Sequence, residues 1–76
     1  MKIYELKPTG SHKSFYGKAK VEIADDGTET LFSYDTAIIK RTPAGELMKL
    51  WDGWSATTGR HITAFCGLNK AAYMNL

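Results

Sequence analysis

Cysteine occurs once in this 76-residue chain, at Cys66, so no internal disulfide can form. That composition suits a reducing compartment. No apolar run approaches the roughly 20 residues needed to cross a bilayer as a helix. Lys2-Ile3-Tyr4-Glu5-Leu6-Lys7 offers no apolar centre for a secretory leader, so a cytoplasmic, soluble protein without a membrane role is expected. Paired metal-ligand motifs are missing: His12, His61 and Cys66 are the only imidazole or thiol groups, and no zinc spacing links them. No metal and no cofactor is therefore expected. There is no phosphate-cradling glycine motif. Cys66, His61 and Asp35 could be written as a triad, but Cys66 falls on an apolar helix stripe, where it reads as a small hydrophobe. Asp25, Asp26 and Glu29 belong to a turn and its flank rather than to a carboxylate pair. Catalysis is not expected.

Net charge is also small, at +2. Its distribution is uneven. Residues 1–20 carry five lysines against Glu5, residues 21–35 carry five acids and no base, and residues 36–76 are basic again. A chain built for non-specific nucleic-acid binding would be more basic overall.

What is present is alternation. Ala19, Val21 and Ile23 point one way while Lys18, Lys20 and Glu22 point the other, the pattern of a half-buried antiparallel strand. Asp25-Asp26-Gly27 reads as a hairpin turn, and residues 28–34 as the return strand. Residues 36–41 and 46–51 form two more strands about the turn Thr42-Pro43-Ala44-Gly45. Ile3 to Leu6 reads as a short first strand. Ser55 is a good N-cap for a helix over Ala56 to Cys66, with Gly67 as its stop. Thr58, Ile62, Phe65 and Cys66 share the stripe expected to pack on the sheet. Asn69 can cap a last short turn. The expected fold is α+β: one domain over residues 1–76, an antiparallel meander of four to five strands with a C-terminal helix on one face. A core this small is often supplemented by self-association or by a partner.

The window Trp51-Asp52-Gly53-Trp54-Ser55-Ala56-Thr57-Thr58-Gly59-Arg60-His61-Ile62 concentrates both tryptophans, three hydroxyls, an arginine and a histidine. Trp51 is expected in the core and Trp54 partly exposed. Trp54, Thr57, Arg60 and His61, on the flank of the stripe, are the candidate partner-binding residues. Hydroxyls and free N–H groups at a helix start can also hold an anion, with Arg60 one turn on. The ordinary use of the same residues is capping, with Arg60 paired to Asp35 or Asp52. A second segment, Lys13, Tyr16, Lys18 and Lys20, interleaves cations with aromatics as nucleic-acid contacts do. With Arg60 it supports the alternative reading, a small nucleic-acid-binding protein.

Tyr34-Asp35-Thr36 followed by this window resembles a family of small uncharacterised domains found in Gram-positive bacteria, their phages and mobile elements. Its mark is the tail pattern W-x-x-W/Y-S-x-T-T-x-R-H-I, and the likeness spans about residues 31–66. The resemblance implies a fold unit rather than an activity, and no catalytic residue is carried over. By association it implies an accessory protein that binds and modulates a host component, such as a host-defence inhibitor. The leading expectation is a non-enzymatic protein-binding module, and association into homo-oligomers fits its size.

Overall fold

A computed structural model describes residues 2–6 and 17–76. It holds five strands and two helices: β1 (Lys2–Glu5), β2 (Ala19–Ile23), β3 (Glu29–Ser33), β4 (Thr36–Arg41), β5 (Leu47–Lys49), α1 (Ala56–Cys66) and α2 (Lys70–Met74). The strands form one antiparallel sheet in sequence order, β1 and β5 at its edges. The α+β meander expected from the pattern is what forms, with α2 as a second, short helix.

Turn chemistry explains the order. Gly27 closes the β2–β3 loop at φ 94°, and Gly27 N–H donates to the carbonyl of Ala24. The carboxylate of Asp26 accepts from both N–H and hydroxyl of Thr28, and these bonds, the backbone one foremost, hold its pKa below the usual value. Thr42 and Gly45 close the β4–β5 hairpin in the same way, through Gly45 N–H to the carbonyl of Thr42. β3 and β4 meet with only two residues between Ser33 and Thr36, which face each other across the ladder.

Alternation then sorts the faces. Ala19, Val21, Leu31, Ser33 and Ile39 are buried beneath the helices. The register puts Ile3, Lys20, Glu22, Phe32, Ala37, Lys40 and Met48 on the opposite face. A register shift beside Leu31 and Phe32 leaves Ile38 as an extra residue in β4. The shift lets both Ile38 and Ile39 be buried, and it turns the carbonyl of Ile38 toward Leu50 N–H, Trp51 N–H and the hydroxyl of Tyr73. Tyr73 also donates to the carbonyl of Trp51, which ties α2 to the bulge.

Ser55 accepts from Thr58 N–H at the start of α1, and Gly67 ends the helix at φ 76°. Asn69 caps α2 by accepting from Ala72 N–H. Arg41 fastens the end of α1. It donates to Glu29 at 2.9 Å and to the carbonyl of Phe65 at 3.2 Å, and it lies 4.4 Å over the Phe65 ring. Trp51 is half-buried rather than in the core, because it sits on the rim with its indole folded over Gly53. No helix among the described residues is long and apolar enough to cross a membrane.

Candidate functional site

The four residues singled out on α1 separate in the structure. Thr57 and Arg60 are exposed. Arg60 pairs with neither carboxylate expected of it: Asp52 lies 3.7 Å from Lys49, and among the described residues no ion pair holds Arg60. Trp54 is half-buried, its ring tilted against Tyr73 with centroids 5.7 Å apart. It lies across Gly59, where a methyl group would stand 2.5 Å from the indole.

His61 is not on the flank of the stripe but within it, 1% exposed. The stripe runs Thr58, His61, Ile62, Phe65, the i, i+3, i+4, i+7 spacing of one helix face. What makes an imidazole tolerable there is Ser33 on β3. Its Oγ lies 2.8 Å from His61 Nδ1 and 3.0 Å from Thr58 Oγ1. A buried polar group so satisfied costs little. Burial, and then the Lys18 ammonium, push the His61 pKa below its ordinary value, so the ring is neutral at pH 7. Ser33 and His61 have the separation of a nucleophile and its base. Both are buried, Ser33 at 2% exposure, so the pair braces α1 on β3.

Immediately outside this pair stands Tyr34. It is the one non-glycine residue among those described with positive φ, at 57°. A bulky side chain in that region costs roughly 1–2 kcal/mol, and Gly, Asn or Asp are the usual occupants. Burial does not account for it, because Tyr34 is 52% exposed. Its ring lies 6.3 Å from that of His61, and Lys18 Nζ stands 5.7 Å from the ring centre. Tyr34 walls a shallow cleft of about 240 Å³ on the open sheet face, with Phe32, Ile3, Lys20, Glu22 and Asp35. Ile3 is 62% exposed and Met48 47%. Apolar side chains are thus set among acids and bases in similar number.

Of the basic-aromatic segment, Lys18 and Lys20 are exposed beside this cleft. Lys13 and Tyr16 lie outside the described residues. Burial raises the pKa of the Cys66 thiol, which sits half-buried against the carbonyl of Ile62. Among the described residues no group of three or more His, Cys, Asp or Glu side chains is placed to hold a metal.

Sequence reasoning missed Tyr34, Phe32 and Ser33. A signal existed for Ser33: with Glu29 it is a polar residue on the inward parity of β3, and such a residue needs a partner when buried. For Tyr34 the signal was two β-rich segments meeting with no glycine between them.

Residues 4–75 match the model of a family of unknown function (DUF8033), and the chain belongs to that family. No curated protein and no solved structure matches it.

Proposed function

We propose that this domain is a non-enzymatic protein-binding module whose contact surface is the open sheet face centred on Tyr34 and Phe32. The observation that carries this reading is Tyr34: an exposed aromatic held in backbone geometry that disfavours it. Strain kept where no burial repays it is characteristic of sites retained for contact. Exposed Tyr beside an apolar floor is the usual composition of a binding hot spot. Thr57 and Arg60 form a second exposed patch and stand as secondary contacts, with Trp54 behind them.

The cleft's own charges favour protein over nucleic acid. Lys20 meets Glu22 and Asp35 in its lining, with Lys18 outside it over the Tyr34 ring, and a phosphate backbone would be repelled by the two acids. The tail motif's likeness to domains of Gram-positive bacteria, phages and mobile elements supports, by analogy, an accessory role in which the partner is a host component.

The test is affinity capture from a host lysate, with Tyr34→Asn run beside the natural sequence. Asn accepts the left-handed conformation, so the variant should keep or raise Tm while losing the captured band. Capture unchanged by Tyr34→Asn would overturn the assignment of the surface. Retention on single-stranded DNA that falls steeply with salt, and is lost with Lys18→Ala and Lys20→Ala, would favour the nucleic-acid reading instead.

A further inference from the structure

The first strand is exposed along its whole length, on both faces of the sheet. The helices lie over the middle of the sheet, leaving Tyr4 on the inner face 42% exposed and Ile3 on the outer face 62% exposed. Only β2 pairs with it among the described residues. Leu6 N–H donates to the carbonyl of Ala19 at 2.9 Å. In an antiparallel ladder the hydrogen-bonding direction alternates along the strand. The N–H and C=O groups of Lys2, Tyr4 and Leu6 therefore aim at β2, and those of Ile3 and Glu5 aim at the free edge. Proline and a bulge, two of the usual guards of a sheet edge, are absent from Lys2-Ile3-Tyr4-Glu5, whose remaining guards are its short length and the charges of Lys2 and Glu5.

We infer that this edge pairs antiparallel with β1 of a second copy of the chain, about a two-fold axis through Tyr4, to make one ten-stranded sheet. The register follows from symmetry and charge. A two-fold axis normal to the sheet keeps both helical layers on one side, so each residue must face one of like parity. Centring on Tyr4 puts Ile3 opposite Glu5 of the second copy twice over, and the edge-facing groups exchange four backbone hydrogen bonds. Centring on Ile3 leaves two such bonds among the described residues. Centring on Glu5 sets two carboxylates against each other. On the inner face the Tyr4 register also aligns Val21, Tyr4 and their two counterparts in one apolar row.

The second copy is the occupant that the register favours because the strand's own sequence completes it. It also touches the cleft: Ile3 lines it, and Glu5 of the second copy arrives beside Ile3. Five residues a side is a small interface, so association is weak and concentration-dependent.

Sedimentation velocity from about 10 µM to about 1 mM reads the result, spanning the range of weak association. The mass should rise from 8.5 kDa toward twice that value. Ile3→Pro removes an N–H that faces the edge and spares the bonds to β2, so it should fold and remain a monomer throughout. If Ile3→Pro does not fold, Tyr4→Lys serves in its place, setting two ammonium groups together on the axis. Ile3→Lys tests the register: it places an ammonium opposite Glu5 of the second copy and should preserve or tighten the dimer. A constant mass of one chain for the natural sequence overturns the inference, as does a dimer that survives Ile3→Pro or Tyr4→Lys. Dissociation by Ile3→Lys overturns the register.

Discussion

Replacing Gly59 with alanine sets two effects against each other. Gly59 lies within α1, where glycine is about 1 kcal/mol less favourable than alanine. On propensity alone Gly59→Ala should stabilise the domain. The added methyl, however, would stand 2.5 Å from Cζ2 and 2.7 Å from Cε2 of Trp54. Carbon atoms settle at about 3.5–4.0 Å, so the indole must retreat by roughly 1 Å or more. Overpacking of this kind costs roughly 1–3 kcal/mol. Displacing the ring also loosens its tilted contact with Tyr73, worth roughly 0.5–1.5 kcal/mol. Set against the propensity gain, the net loss is about 1–3 kcal/mol. For a chain of 76 residues, an unfolding entropy of about 2.1 cal/mol/K per residue makes each kcal/mol worth roughly 6 °C. Thermal unfolding followed by circular dichroism should therefore show Tm lower by roughly 6–18 °C, from the same scaling. The decisive comparison is made without the indole. In a Trp54→Ala background the same Gly59→Ala change should raise Tm, because only the propensity term remains. A single variant as stable as the natural sequence would refute the reasoning. So would a Gly59→Ala that stays destabilising after Trp54 has been removed.

The parts of the fold that could be read in advance are those with short-range causes. Ser55 and Gly67 delimit α1 because a hydroxyl cap and a left-handed stop act within one turn of the helix they bound. The alternation of Ala19, Val21 and Ile23 orients β2 because one parity must be dry. The bulge at Ile38 could not be read, since it is settled by donors from Leu50, Trp51 and Tyr73, far along the chain. His61 failed for a related reason. Its helical phase put it at the margin of the apolar stripe, and Ser33, 28 residues away, decides which side of the margin it takes. Tyr34 is the sharper case. Propensity assigns a left-handed turn position to Gly, Asn or Asp, so local rules argue against what is found there. Where local preference and global structure disagree, a functional site is the expected cause. The most informative residue of the candidate site is thus one that propensity alone would have passed over.

Three further outcomes follow from the same contacts. Tyr73→Phe removes the donor that serves the carbonyls of Ile38 and Trp51, and chemical denaturation should report a loss of about 1–3 kcal/mol. Arg60→Ala touches no ion pair among the described residues, so stability should stay within about 0.5 kcal/mol while any partner bound at the start of α1 is weakened. The last concerns pH. The native pKa of His61 is lowered, first by burial and then by Lys18. Above about 6.5, the ordinary value for histidine, the ring is neutral in both folded and unfolded chains and its contribution is fully present. As pH falls from there toward the depressed native value, the unfolded chain takes up the proton first. Stability must then drop with acidification, by at most about 1.4 kcal/mol per pH unit for one proton. Tm measured between pH 7.5 and 5 should show this slope. In His61→Gln, which offers Ser33 a hydrogen-bonding partner without a titrating ring, the slope should be reduced. A natural sequence whose Tm is flat or rises on acidification across that window would contradict a neutral imidazole wedged between α1 and β3.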